Sequence, residues 1–237
     1  ARLINFYRVY YCMVRAKVSA LTAAQGHDSH AEVVTQPSPS DYLGLANRLM
    51  NPPKPQLLLT HGLSGSGKTW LTDRLLTRLT AIRLRAELIR KSLHGLMATA
   101  DSHSGIESDL YSPEATQRTY HLLAQLAGEL LDAGFNVIID AACLKAWQRK
   151  LLAAIATERQ LRWKILDCYA PDSLLRDRIE ARQATGADAS EAGLAVLDHQ
   201  IETREALTQA EEAETVRVSV ANDIDVSNVV RALQLPQ

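Results

Sequence analysis

Apolar and polar positions follow two different periods along this chain. Short runs rich in Leu, Ile and Val occur at 56–60, 81–85, 136–140, 162–170 and 215–220. Between these runs, apolar residues recur at steps of three and four, which is the helical period. Short, continuously apolar strands that alternate with helices are typical of parallel sheets covered on both faces. The pattern therefore predicts an α/β fold, a three-layer α/β/α arrangement around a five-stranded parallel sheet.

The predicted helices fill the gaps between the strands. The longest has Ser112 as its N-cap, Pro113 in its first turn and Gly134 as its C-cap. The other predicted helices of this part of the chain span 68–79, 87–94, 144–155, 171–183, 190–207 and 226–233. A loop without readable periodicity is predicted over 95–105.

The first 54 residues have a different pattern. Residues 3–21 form one apolar helical stripe, 25–41 are rich in Pro, Ser and acidic residues, and 42–50 form a short helix that ends before "NPPKP". We therefore expect a helical N-terminal extension and linker over 1–54 and the main domain over 55–237. Because the chain opens on Ala1 rather than Met, and its first helix has no cap, we expect a piece of a longer chain.

A glycine-rich segment lies between the first predicted strand and the helix 68–79. Its sequence matches G-x-x-x-x-G-K-[ST], in which glycines let successive backbone N–H groups surround a phosphate at a helix N-terminus. We expect Lys68 to reach the β- and γ-phosphates of ATP and Thr69 to bind Mg²⁺; a turn with an exposed lysine is the alternative. The expected ATP-binding residues are Gly62, Leu63, Ser64, Gly65, Ser66, Gly67, Lys68 and Thr69.

Glu87 and Arg90 follow the second predicted strand and stand three residues apart, on one helix face. A carboxylate there could orient an acceptor hydroxyl and take its proton, while the guanidinium binds the acceptor or the transferring group. A surface ion pair is the alternative interpretation.

Asp140 and two arginines complete the candidate site. Asp140 ends the third predicted strand, where a carboxylate can hold Mg²⁺ or substrate. Arg178 and Arg182 share a helix face that precedes the small-residue segment "ATGADAS", so that a lid could carry them over the phosphates. A solvated helix face is the alternative for both arginines.

Composition limits the other classes of function. A net charge of −1 gives no overall attraction to nucleic acid or membranes, and the aromatic content of 5% is too scattered for a nucleic-acid stacking platform. Cys12, Cys143 and Cys168 have neither disulfide nor zinc spacing, which indicates reduced thiols. No stretch is long and apolar enough to span a membrane, so we expect a cytoplasmic protein. A nucleic-acid partner is disfavoured without being excluded.

Several motifs in order resemble the AAA_33-type small P-loop kinases, relatives of polynucleotide 5′-hydroxyl kinase, gluconate kinase and zeta-toxin kinases. The resemblance runs from about residue 56 to 220 and implies a kinase fold with a lid, Asp140 in a metal or substrate position, and Arg178 or Arg182 in the lid. The family commonly has Ser-Asp where this chain has Ala86-Glu87. The segments that carry it are "LLLTHGLSGSGKTWL", "LRAELIRKSLHGL", "YSPEATQRTY", "GFNVIIDAACLKAWQR" and "RIEARQATGADASEAGLAVLDHQ".

The opening segment "LINFYRVYYCMVRAKVSAL" resembles the last helices of an aminoglycoside-phosphotransferase-like domain. That resemblance implies an upstream domain as a possible partner in a longer chain.

From the glycine-rich segment and the kinase resemblance, we expect an ATP- and Mg²⁺-dependent kinase that phosphorylates a hydroxyl of a small molecule. The alternatives are a nucleotide-binding regulatory ATPase and a nucleic-acid 5′-hydroxyl kinase.

Overall fold

The structure is a computed structural model that describes residues 2–24, 37–96, 111–185, 193–221 and 224–233. The chain divides into two compact units, Ala1–Lys54 and Pro55–Gln237. Most of the expected linker 25–41, of the expected loop 95–105 and of the small-residue hinge 184–190 lies outside the described residues.

The N-terminal unit is a pair of helices, α1 (Arg2–Ala24) and α2 (Pro39–Met50). Ser38 caps α2: its hydroxyl accepts from the Asp41 N–H at 3.2 Å, and the Asp41 carboxylate accepts from the Ser38 N–H at 2.8 Å. This capping box explains why α2 begins three residues earlier than its apolar pattern predicts. Every helix of the described ranges is too short or too polar to cross a bilayer.

The second unit contains a five-stranded, all-parallel sheet, which confirms the predicted fold. Its strands are β1 (Gln56–His61), β2 (Ala81–Arg85), β3 (Asn136–Asp140), β4 (Arg162–Tyr169) and β5 (Thr215–Ser219), in the spatial order β2-β3-β1-β4-β5. From β1 the chain crosses to the β2 edge, and from β3 it crosses to β4 on the other side. The carboxyl ends of β1 and β3 therefore form a topological switch point, where ligands bind in open α/β sheets.

Helices cover both faces of this sheet. On one face, Leu71 and Leu75 pack with Leu58 and Ile138 of the sheet; on the other, Leu123 packs in one cluster with Leu57 and Ile139. The helices of this unit are α3 (Lys68–Leu79), α4 (Ala86–Leu93), α5 (Pro113–Asp132), α6 (Ala146–Glu158), α7 (Asp172–Thr185), α8 (Leu194–Thr203), α9 (Gln209–Ala213) and α10 (Val226–Leu233).

The ends of α5 follow the predicted caps closely. The Ser112 hydroxyl accepts from the Ala115 N–H at 3.1 Å, as an N-cap does. The C-cap is Ala133 rather than Gly134, which follows it with φ +84°. Gly134 thus stands one residue after the C-cap, where it supplies the left-handed turn, whereas the sequence predicts it as the C-cap itself.

The helix predicted over 190–207 is wrong at its C-terminal end. It stops at Thr203, because Arg204 is extended and the Glu205 N–H donates to the Leu144 carbonyl at 2.9 Å. The chain then forms the separate short helix α9, which is capped by Thr208. Residues 190–192 of the predicted helix lie outside the described part of the chain.

Candidate nucleotide and acceptor site

The loop between β1 and α3 depends on glycine at each of its tight positions. Gly62, Gly65 and Gly67 have φ values of 140°, 79° and 77°. A Cβ on Gly62 would lie 2.3 Å from the Cys168 carbonyl oxygen, and one on Gly67 would lie 2.5 Å from Val220 Cγ1. The loop is therefore packed against Cys168 of β4 and against Val220, which follows β5. Its backbone conformation is one that residues with a Cβ rarely adopt.

Gly62→Ala is expected to lower the free energy of unfolding by about 3 kcal/mol, because the methyl group meets backbone and φ is unfavourable. Thermal unfolding measures the loss. Gly95→Ala is the matched control: Gly95 also has positive φ, +69°, but an added Cβ would meet no described atom within 4 Å. Equal losses in the two variants would contradict the packing described for Gly62.

Lys68 is held inside the curve of the loop. Its Nζ donates to the carbonyls of Gly62 and Leu63 at 2.9 and 2.7 Å and to Ser66 Oγ at 3.3 Å. Desolvation in this position lowers the pKa of Lys68. Charged oxygens are stronger partners for an ammonium than neutral carbonyls, so an entering phosphate can take over this group.

Thr69 and Asp140 meet at the switch point. The Thr69 hydroxyl donates to Asp140 Oδ2 at 2.9 Å, and the buried carboxylate also lies 3.8 Å from Arg83 Nη1 and 3.7 Å from Arg85 Nε. The described residues contain no group of three or more His, Cys, Asp or Glu that could hold a metal ion. A hydroxyl beside one carboxylate nevertheless fits Mg²⁺, which takes few protein oxygens and completes its shell with phosphates and water.

Glu87 and Arg90 form a mostly buried pair in the first two turns of α4. Arg90 Nη1 donates to Glu87 Oε2 at 2.7 Å, and the Tyr111 hydroxyl donates to Glu87 Oε1 at 3.2 Å. The side chains of Arg90 and Glu87 are only 11% and 15% exposed. This degree of burial disfavours the interpretation of an ordinary surface ion pair.

Helix α7 packs on the tip of the glycine loop. Arg178 Nη1 donates to the Gly65 carbonyl at 3.3 Å, and its Nη2 donates to the Val220 carbonyl at 2.6 Å. Arg176, by contrast, pairs with Asp198 at the surface. Arg178 thus contacts the loop itself in this structure.

A cavity of about 640 Å³ joins these groups. It is lined by Lys68, Glu87, Arg90, Asp140, Arg178 and Arg182, and by Ser64, Gly65, Gly67 and Thr69 of the loop. Gly62, Leu63 and Ser66 do not line the cavity; their oxygen atoms accept the hydrogen bonds of Lys68 Nζ. The structure therefore brings to one cavity all six charged residues that the sequence analysis assigns to the candidate site.

Sequence reasoning missed several residues that line the cavity. Tyr111 contacts Glu87, and Gln200 of α8 accepts from the Ser64 N–H of the loop at 2.8 Å. Arg85 could have been found, because it ends β2 at the same edge as Asp140. The contacts of Tyr111 and Gln200 join distant segments, so that no local pattern indicates them.

His61 and Arg118 do not line the cavity. His61 ends β1 and its Nδ1 lies 2.7 Å from Asp167 Oδ1 on β4, so it joins two neighbouring strands at their carboxyl ends and does not line the cavity. Arg118 of α5 is exposed and does not line the cavity, whereas Tyr120 of the same helix does.

Buried thiols lie next to this site. Burial raises the pKa values of Cys143 and Cys168 to about 12. Both side chains are therefore neutral thiols at physiological pH, and neither offers a thiolate to a substrate.

Residues 57–207 match the AAA_33 family, described as an AAA domain, which covers more than half of the 237 residues. An uncharacterized protein of Mycobacterium tuberculosis is 25% identical over 190 residues, which make up 80% of this chain and 37% of that protein. The chain thus spans about 37% of the length of the curated relatives it matches.

Solved structures share the fold. The APS kinase CysC of Mycobacterium tuberculosis, in complex with AMPPNP and APS, is 19% identical with a TM-score of 0.56, and the match covers 78% of this chain and 100% of that one. A gluconokinase from Sinorhizobium meliloti is 20% identical with a TM-score of 0.51, and the match covers 76% and 90% of the two chains.

Proposed function

The chain belongs to the AAA_33 family of AAA domains, and we propose that it is an ATP-dependent phosphotransferase that moves the γ-phosphate to a hydroxyl of a small molecule. One observation carries this proposal: the glycine loop with Lys68 and the Glu87–Arg90 pair line the same cavity. A phosphate donor and an acceptor could therefore meet there.

The glycine loop is the proposed ATP-binding element. Its backbone N–H groups and the N-terminus of α3 favour an anion, and Lys68 would bind the β- and γ-phosphates once these replace its loop carbonyls. In this role Arg178 braces the loop through the Gly65 carbonyl, and Arg182 faces the charge that spreads over the transferring group.

Thr69 and Asp140 would hold Mg²⁺. Bound there, the ion would neutralise charge on the β- and γ-phosphate oxygens. The arginines beside Asp140 restrain its carboxylate, which orients the oxygen that faces Thr69.

Asp140→Asn is expected to raise the Mg²⁺ concentration for half-maximal activity by about tenfold, because an amide is a weaker ligand for a hard cation than a carboxylate. A titration of activity against Mg²⁺ at fixed ATP measures the change. Asp167→Asn, the same substitution on β4 outside the cavity, is the control. An identical Mg²⁺ dependence in both variants would remove Asp140 from the proposed metal site.

In the transfer step, the acceptor hydroxyl oxygen bonds to the γ-phosphorus while the bond to the bridging oxygen of ADP breaks. Glu87 orients this hydroxyl and receives its proton, and Arg90 holds Glu87 in place at 2.7 Å. Phosphoryl transfer depends more on positioning than on basicity, so that an ordinary carboxylate suffices. The two solved structures described above are an APS kinase and a gluconokinase, and their likeness to this chain supports this class of reaction.

A regulatory ATPase is the second candidate. Both carboxylate oxygens of Glu87 are already occupied, by Arg90 and Tyr111, which leaves an acceptor to displace one of them. In an ATPase, water would receive the phosphate and no phosphorylated product would form. A nucleic-acid 5′-hydroxyl kinase is the third candidate and would need a basic channel that leads to Glu87.

A transfer assay distinguishes these candidates. Labelled ATP is incubated with the protein and with alcohols, sugars, nucleosides or oligonucleotide ends, and the label is followed in products and in free phosphate. We expect label in a small hydroxyl compound. Label in free phosphate alone would favour the ATPase, and label in oligonucleotides alone the nucleic-acid kinase.

The N-terminal unit, residues 1–54, is proposed to belong to an upstream aminoglycoside-phosphotransferase-like domain of a longer chain. Its segment "LINFYRVYYCMVRAKVSAL" resembles the end of such a domain, and the curated relatives are longer than this chain. The full-length coding sequence tests this proposal.

We further propose a cytoplasmic location, where ATP and reduced thiols are available.

A further inference from the structure

The part of the cavity next to Glu87 has an aromatic wall. The rings of Tyr120 and Trp147 meet edge to face, with centroids 5.4 Å apart at 64°. Trp147, in the first turn of α6, lines the cavity and stays 40% exposed. An exposed tryptophan on a cavity wall is typical of sites that bind a ligand with an apolar face. Together with Tyr111 and Arg90, these two residues are called the aromatic lobe below.

Tyr120 offers the cavity a ring rather than a hydroxyl. Its hydroxyl oxygen already accepts from the Cys143 N–H at 3.2 Å. Burial raises the pKa of Tyr120 well above its usual value, so that the phenol is neutral at any physiological pH. This wall of the lobe therefore contributes flat apolar surface.

Tyr111 occupies the place that an acceptor hydroxyl must take. Of the two hydrogen bonds to Glu87, the one from Arg90 is short at 2.7 Å, whereas the one from the Tyr111 hydroxyl is 3.2 Å long. Hydroxyl bonds to oxygen are commonly about 2.7 to 2.8 Å, so the Tyr111 bond is the weaker of the two and the easier to exchange. A phenol thus binds Glu87 Oε1, the atom to which an acceptor hydroxyl would bond.

The same phenol ring also contacts Arg90. The guanidinium carbon lies 4.9 Å from the centroid of the Tyr111 ring, a cation–π distance. An acceptor that displaces Tyr111 therefore takes the place of a hydroxyl on Glu87 and of a ring beside Arg90. An aliphatic polyol supplies the hydroxyl but no ring.

We infer that the acceptor is a hydroxyl compound that carries a flat aromatic ring, bound in the aromatic lobe with its ring against Trp147 and Arg90 and its hydroxyl on Glu87. This inference rests on the proposed function and names the substrate class of the same site. The reaction is the transfer described above: the acceptor oxygen gains the phosphoryl group, its proton passes to Glu87, and ADP leaves.

Matched pairs of acceptors test the ring. Uridine is compared with methyl ribofuranoside, which has the sugar hydroxyls without the base, and 3-hydroxymethylpyridine is compared with cyclohexylmethanol. Transfer from labelled ATP is expected to be at least about tenfold more efficient in kcat/KM for the ring-bearing member of a pair, because one stacked ring is worth this factor or more. Equal or better transfer to the ringless members overturns the inference.

Trp147→Leu tests the lobe itself. The KM for the ring-bearing acceptor is expected to rise about tenfold while the KM for ATP stays unchanged, since the exposed ring contributes little to the fold. Tyr169→Leu removes a similarly exposed aromatic ring outside the cavity and serves as the control. Equal KM values in wild type and Trp147→Leu contradict the assignment.

Calorimetric titration of the same probes without ATP separates the inference from the proposed function. Ring-bearing probes that bind, lose affinity in Trp147→Leu and receive no phosphate support the lobe but contradict the kinase. Transfer to ringless acceptors alone supports the kinase and overturns the lobe. If no probe binds and none is phosphorylated, both are overturned.

Discussion

Lys68→Ala is expected to lower kcat/KM for phosphoryl transfer by about 10³-fold or more. The substitution removes the ammonium that lies within the glycine loop, 2.7 to 2.9 Å from two of its carbonyls, and with it the charge proposed to stabilise the γ-phosphate as it leaves ADP. Initial rates with labelled ATP measure the loss.

The control for this variant is Lys150→Ala, which removes the same charge from the exposed side of α6. Thermal unfolding is expected to differ little between the two variants. In Lys68→Ala the loss of three hydrogen bonds is offset by removal of an ammonium whose desolvation is unfavourable. Activity near the wild-type level in folded Lys68→Ala would contradict the assignment of this lysine.

Glu87→Gln is expected to lower transfer by about 10² to 10³-fold while the KM for ATP stays within about twofold. The amide keeps the shape of the side chain but can neither accept the acceptor proton nor pair with the Arg90 charge. Steady-state kinetics with varied acceptor and varied ATP measure the two effects separately.

Glu158→Gln at the exposed end of α6 is the control for this charge change. Because Glu87→Gln leaves the Arg90 guanidinium without its carboxylate, thermal unfolding is measured alongside to separate loss of fold from loss of chemistry. If ATP hydrolysis without an acceptor is the main reaction and is unaffected in Glu87→Gln, the regulatory ATPase replaces the kinase as the better account.

The strands could be predicted closely from the sequence, whereas several helix ends could not. β3 begins and ends where its apolar run does, because a parallel strand buried on both faces needs nearly continuous apolar residues. The edge strand β2 also keeps its predicted bounds, although two of its five residues are arginines. The end of α8 depends instead on the bond between the Glu205 N–H and the Leu144 carbonyl, which joins segments about 60 residues apart. Local periodicity contains no information on such a contact.

The candidate site likewise combines residues that the local sequence predicts with residues that only tertiary packing brings there. The glycine loop is local, so that its motif and the strand before it predict its position and its glycine conformations. Asp140 follows from the rule that ligands bind at the carboxyl ends of parallel strands. Tyr111 reaches Glu87 and Gln200 reaches the loop only through the packing of α5 and α8, and neither residue stands in a pattern that indicates it.

Arg178 and Arg182 lie on one face of α7, as predicted, but their contacts differ. Arg178 donates to backbone carbonyls of the loop and of β5's neighbour Val220, which a spacing of four residues does not reveal. Arg182 lines the cavity beside it. A shared face indicates which side of a helix points to the site, but the partner of each side chain depends on how deeply the helix packs.

Binding of a triphosphate in the glycine loop is the central claim, and calorimetric titration of the purified protein with AMPPNP and Mg²⁺ tests it most directly. The account predicts one site per chain with a dissociation constant of about 1 μM to 1 mM, the usual range for enzyme substrates, and no binding heat when Mg²⁺ and tripolyphosphate already fill the loop. An absence of heat at millimolar AMPPNP with a folded protein would contradict it.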